Sequence, residues 1–257
     1  MMKKIFFAII GFVLLFGIVV ATFPLFFKKQ LQALLDKKLS EQLNAHVFYD
    51  AESFSLSLLK SFPSMSVSIG EIGVVGKAPF EKDTLFYAGD FRIDLNLKSL
   101  LSKQIQIEAI RVKNLSVYAK VLKDGRVNWD IVKSSETSSD VPTEKPSQDT
   151  LKFSIHDWVL ENAKIVYEDE SMPLKVTLDK LYHEGNGDFT LENFDLRTKT
   201  DVKAFFFQWG GIEYVSGKQL IADVTLNMDM PTMKFTFREN KVALNDFAIG
   251  FDGYFQL

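Results

Sequence analysis

From Val47 onward apolar and polar residues alternate with period two, and that alternation restricts the body of the chain to β-structure. Phe54, Leu56 and Leu58 alternate with serines, and Met65, Val67 and Ile69 do the same. Phe91, Ile93, Leu95 and Leu97 alternate with Arg92, Asp94 and Asn96, the pattern of an antiparallel strand with one wet face. Ile105 and Ile107 continue it, Ile110 and Val112 follow after a one-residue slip, and Leu115, Val117 and Val121 come next. Asp124-Gly125 is a tight-turn signal ahead of Val127 and Trp129. Further strands are expected at 152–155, 163–167, 174–178, 189–197, 203–209, 220–230, 234–237 and 242–251. Residues 250–257 read as the middle of a hairpin turning at Asp252-Gly253, as though the chain were a truncated member of a longer family.

The other strong pattern is at the N-terminus. Residues 5–27 carry no charge and are bracketed by Lys3-Lys4 and Lys28-Lys29. As a helix this run spans about 34 Å, enough for a hydrocarbon core of about 30 Å. It exceeds the apolar region of a cleaved signal peptide and ends in Thr22-Phe23-Pro24-Leu25-Phe26-Phe27, without a small-residue cleavage pattern. A retained single-pass anchor is therefore expected, with the short basic leader in the cytoplasm and the body outside. Beyond Lys29 acidic side chains outnumber basic ones, which argues against a polybasic cytoplasmic-surface module. Leu31, Leu34, Leu35, Leu39 and Leu43 then form one helical stripe, read as a short amphipathic helix that caps the end of a sheet, the alternative being a helix lying on the membrane surface.

The organisation that follows is an anchor at 1–29, an amphipathic helix plus first sheet section at 30–133, a linker at 134–150 and a second sheet section at 151–257. The linker assignment rests on composition, since ten of its 17 residues are Ser, Thr or Pro. A faint repeat runs through the body: Val112-Lys-Asn-Leu-Ser-Val117, Leu160-Glu-Asn-Ala-Lys-Ile165, Leu191-Glu-Asn-Phe-Asp-Leu196 and Leu244-Asn-Asp-Phe-Ala-Ile249. Its asparagines suit a turn or bulge, where Asn tolerates left-handed backbone.

Several chemistries are excluded or disfavoured. There is no cysteine, so disulfides, thiolate metal sites and cysteine nucleophiles are out. Thirty basic against 33 acidic residues disfavour nucleic acid as a partner. His156-Asp157 and His183-Glu184 are sequence neighbours, which on a strand point to opposite faces. Nucleophile-elbow, phosphate-loop and zinc-protease motifs are absent. Gly185-Asn-Gly-Asp188 reads as a turn, and Glu168-Asp-Glu170 as a solvated turn rather than a calcium site. No enzyme, catalytic residue, metal or cofactor is expected, and a hydrolase using His156 or His183 is the remote alternative.

Twenty-four phenylalanines against seven tyrosines make the aromatic content unusually apolar. Phe205-Phe-Phe-Gln-Trp209 sets large apolar groups on both faces of one strand. Period two fits a sandwich core and a curved, apolar groove for acyl chains equally. The groove candidates are Phe91, Ile93, Leu95, Leu97, Ile105, Ile107, Val117, Phe205, Phe207 and Trp209.

The order of these features resembles the N-terminal part of the AsmA family of envelope proteins. The likeness is carried by the 5–27 anchor, the 31–43 stripe and Ser53-Phe-Ser-Leu-Ser-Leu-Leu-Lys-Ser-Phe-Pro63. It continues through Phe91-Arg-Ile-Asp-Leu-Asn-Leu-Lys-Ser-Leu-Leu101, Ile105-Gln-Ile-Glu-Ala-Ile-Arg-Val112 and Val117-Tyr-Ala-Lys. Asp124-Gly-Arg-Val-Asn-Trp129, the polar insert after it and Leu244-Asn-Asp-Phe247 complete it. The resemblance implies a Gram-negative inner-membrane anchor with a periplasmic body that supports outer-membrane biogenesis. It also implies kinship with TamB and eukaryotic bridge-like lipid-transfer proteins, whose grooves are lined with apolar side chains. The expected architecture is mainly β: a transmembrane helix and a short amphipathic helix, then an extended, curved, groove-like antiparallel sheet. The expected partners are the inner membrane, phospholipid and other envelope or outer-membrane proteins. The alternative is a non-enzymatic assembly scaffold that receives client strands at an exposed sheet edge.

Overall fold

The computed structural model describes residues 32–33, 36–37, 39, 41–61, 64–99, 106–133, 154–189 and 191–257. The expected anchor at 5–27 and the linker at 134–150 lie outside the described residues, as does Ile105. Ten strands form one curved sheet. They are β1 (Ala45–Ser61), β2 (Ser64–Gly76), β3 (Thr84–Asn96), β4 (Gln106–Val121), β5 (Ser154–Asp169), β6 (Leu174–Asn186), β7 (Asn193–Trp209), β8 (Ile212–Asp229), β9 (Lys234–Leu244) and β10 (Phe247–Gln256). Spatial order equals chain order. Among the described residues no continuous α-helix is defined. Gln32, Ala33, Asp36, Lys37, Leu39, Glu41 and Gln42 have helical backbone, and the Leu43 N–H donates to the Leu39 carbonyl at 3.0 Å.

All strand pairs are antiparallel except one: β4 and β5 run parallel, Ile107 beside Ile155 and Val121 beside Asp169. The fully antiparallel expectation is corrected there. Alternation sets which face a side chain takes but not the direction of the neighbouring strand. A parallel pair needs a long return connection, and residues 122–153 supply it. The described first part of that return folds back across the strand ends. Asn128 joins it to β4: its Oδ1 accepts the Lys120 N–H at 2.8 Å and its Nδ2 donates to the Tyr118 carbonyl at 2.6 Å. Val132 then bridges Leu43, just ahead of β1.

Strand lengths are also corrected. Stretches 189–197 and 203–209 are not two strands; the chain from Asn193 to Trp209 is one. Stretch 242–251 is split by a turn at Asn245-Asp246, where Asn245 has φ 49°. Asp252-Gly253 is no turn but an irregularity inside β10, between Phe251 and Gly253.

One seam crosses the sheet and explains the slips in the pattern. Glu71, Asn114, Asn162, Lys180 and Gly217 all have φ between 51° and 58°. Each inserts one residue, so the parity of the apolar positions switches there. In β4 Ile110 and Val112 give way to Leu115 and Val117, and in β5 Trp158 and Leu160 give way to Ala163 and Ile165. A bulge of this kind restores the same face on both sides and increases local twist. Asn162 Nδ2 donates to Asn114 Oδ1 at 2.7 Å across the seam, so the repeated asparagine is a bulge residue at these two positions.

Candidate functional site

The parity switch leaves one apolar face running the length of the sheet. Beside the seam, Ile72, Ala88, Leu115, Ala163, Leu181, Val202 and Leu220 pack as neighbours, and Leu244 and Phe247 extend the row to β10. Alanines alternate with larger residues in it, so adjacent strands interdigitate, and Val202 is fully buried. Phe54, Leu56, Met65, Val67 and Ile69 form a second cluster on β1 and β2. Two glycines serve close packing of rings against backbone. A Cβ on Gly185 would lie 2.1 Å from Trp158 Cζ2, and one on Gly73 2.3 Å from Phe48 Cζ.

Phe91, Ile93 and Leu95 line an apolar cavity of about 270 Å³ with Leu39, Tyr49, Val67, Ile69 and Ile72. Leu39, a residue of the helical stripe, therefore reaches over the β1–β3 end of the face. Tyr49 ties it down: its hydroxyl donates to Asp36 Oδ1 at 2.8 Å. Burial first, then the Asp36 carboxylate, pushes the Tyr49 pKa up to about 12. Of the other candidates, Leu97 packs against the Phe54 cluster, Ile107 is buried, and Val117 and Phe205 pack against the seam row. Phe207 meets Tyr214 with ring centroids 6.2 Å apart, and Trp209 stands exposed at the end of β7. The described candidates thus share a face but not a single pocket.

Sequence reasoning missed Tyr49, Ile72, Trp158 and Leu160 as members of this face. Ile72, Trp158 and Leu160 flank the seam, which hides their period; Tyr49 precedes the irregularity of β1 between Asp50 and Ser55. Trp158 covers Gly185 and approaches both His183 and Phe189 with ring centroids 6.3 Å apart. His183 Nδ1 is hydrogen-bonded to Thr200 Oγ1 at 2.9 Å. Burial lowers the His183 pKa, with the Glu184 charge opposing.

The other face is polar. Its buried charge is Asp94, whose carboxylate accepts from Ser66 Oγ at 2.6 Å and from Arg92 Nε at 2.9 Å, and also pairs with Arg111. A cavity of about 450 Å³ there is lined by Arg111, Arg197 and Lys199 together with Asp157, Glu184 and Asp223, a mixture with no net sign. Among the described residues no group of three His, Asp or Glu is placed to hold a metal. Glu168 and Asp169 lie at the β5–β6 turn: the Lys175 ammonium and the Tyr118 hydroxyl hold the Glu168 pKa low, and Ser171 does so for Asp169.

A chain of this construction is a single-layer, strand-ordered β-sheet protein with one apolar and one charged face. The AsmA family model matches residues 1–203, and the chain belongs to the AsmA family. That family is generally associated with the bacterial envelope. The match ends within β7, and β8 to β10 continue the same sheet beyond it. No curated protein matches the chain.

Proposed function

We propose that this protein is a membrane-anchored envelope component whose apolar sheet face holds or conducts phospholipid acyl chains in support of outer-membrane biogenesis. Residues 5–27 would span the inner membrane of a Gram-negative bacterium, with the sheet in the periplasm. One observation carries the reading: an apolar row crosses nine consecutive strands, β2 to β10, of a single-layer sheet. Acyl chains on such a surface gain roughly 0.8 kcal/mol per buried CH₂, while headgroups remain in water. The reading assigns no catalytic step to any residue. Native mass spectrometry of the full chain, released from a periplasm-bearing host, tests it. Bound phospholipid is expected, and its loss when Phe207 and Trp209 are replaced by Asp in a folded protein. A folded chain that carries no phospholipid refutes it.

A second reading is favoured by β10, every residue of which is exposed and which, among the described residues, pairs only with β9. An apolar edge of this kind accepts client strands by backbone pairing. In that case photo-crosslinkers along β10 capture polypeptide rather than lipid.

A further inference from the structure

His183 is a titratable group set into the apolar face. Its cross-strand neighbours are Leu160 on β5 and Thr200 on β7. Trp158 flanks it, and Phe189 from the β6–β7 connection stands against Trp158. The Thr200 hydroxyl occupies Nδ1, and among the described residues no hydrogen bond is made at Nε2. The charges nearest in sequence, Asp157 and Glu161 on β5, Glu184 on β6, and Lys199 and Asp201 on β7, alternate onto the opposite face. Asp188 lies further along, in the connection to β7. His156 shares the apolar face two residues before Trp158 and is the second imidazole on β5 and β6.

We infer that His183 couples acyl-chain occupancy of the apolar face to pH, the neutral imidazole tolerating cover by acyl chains and the imidazolium expelling them. This rests on the acyl-chain reading above. The neutral ring already has its Nδ1 partner in Thr200, so covering it leaves only the single uncharged nitrogen Nε2 at issue. The imidazolium needs water or an anion at Nε2, and an acyl chain laid over it provides neither. Occupancy therefore lowers the proton affinity of His183, and by linkage protonation lowers occupancy. Each unit by which cover lowers the pKa corresponds to as much as a tenfold difference in affinity between the two protonation states. The nearest charges face away, so Glu184 opposes the effect only in part, across the sheet.

The test uses the full chain in nanodiscs of phosphatidylcholine, whose headgroup does not titrate between pH 5 and 8. A benzophenone amino acid replaces Ala222, which neighbours Thr200 on the same face. Adduct yield with lipid is read by mass at pH 5.5 and pH 7.5. The expected result is a several-fold higher yield at pH 7.5 in the parent, with about tenfold as the ceiling an ordinary imidazole pKa of about 6.5 would set. In His183→Asn the yield is high and flat; in His156→Asn the pH dependence is retained. The chain has three histidines, so the His183 ring can also be followed by NMR in the unsubstituted protein. It should titrate at lower pH with lipid loaded than without. Equal pH dependence in parent and His183→Asn overturns the inference, as does a pH-independent yield in the parent. Absence of adduct from position 222 at both pH values, while a benzophenone at Val13 does capture lipid, removes the acyl-chain reading itself.

Discussion

Replacing Gly185 by Ala tests whether the apolar face is held together by close approach of rings to backbone. The added methyl would lie 2.1 Å from Trp158 Cζ2, 2.4 Å from Cε2 and 2.9 Å from Cη2. Carbon atoms in contact sit about 3.5–4.0 Å apart, so the ring must shift by more than an ångström or leave. Overpacking of this order costs about 1–3 kcal/mol. Expulsion of the ring, half-buried here, would expose on the order of 100 Å² of apolar surface, or about 2.5 kcal/mol at 25 cal/mol per Å². Either route gives a loss of about 2 kcal/mol. The assay is denaturant unfolding of the full chain as a double-mutant cycle with Trp158→Ala. The methyl should cost about 2 kcal/mol in the parent and close to nothing where the indole is gone. The same penalty in both backgrounds would show that Trp158 does not occupy the space over Gly185, and the argument for ring-on-backbone packing would fall.

Other expectations are independent of that one. Asn162→Ala should cost about 1–2 kcal/mol in unfolding, because Ala tolerates a φ of 54° less well than Asn and the bond to Asn114 is lost, whereas Asn162→Gly should recover most of the backbone part. Asp94→Ala removes the buried carboxylate that accepts from Ser66 and pairs with the part-exposed Arg92 and Arg111, and should destabilise by about 1–3 kcal/mol, measurable as a fall in urea midpoint at constant slope. Glu168 has a folded pKa held below the ordinary 4.5, so its share of stability is complete above that value and drains away as pH falls through the folded pKa. Glu168→Gln should accordingly flatten the acid limb of a stability-versus-pH curve, and an unchanged limb would count against the Lys175–Glu168 pairing.

Much of the fold was legible because strands with one wet face announce themselves by alternation. Phe91 to Leu97 and Met65 to Ile69 gave strand type, the inward face and five residues of the apolar cavity. The asparagines of the faint repeat marked Asn114 and Asn162 as bulge positions. Legibility failed where the bulges broke parity. The run Arg197-Thr-Lys-Thr-Asp-Val202 sits in the middle of β7 yet looks like a loop, because its neighbours on the apolar face are threonines and the register shifts between Val202 and Phe205.

By itself, then, the sequence determines that the chain is β-structured, that one face of each strand is apolar, and that the anchor-like run, stripe and strands follow the order of the AsmA family. These are local properties, fixed by period, by φ preference and by composition. The tertiary structure decides that all ten strands join one sheet, that β4 meets β5 in parallel, and that the seam bulges align. Only through that register do Ala88, Leu115, Ala163, Leu181 and Val202 become one row, and only there does His183 find Thr200 on one side and Trp158 on the other. Strand pairing joins residues far apart in the chain, so the energy that selects it lies in contacts no local window contains.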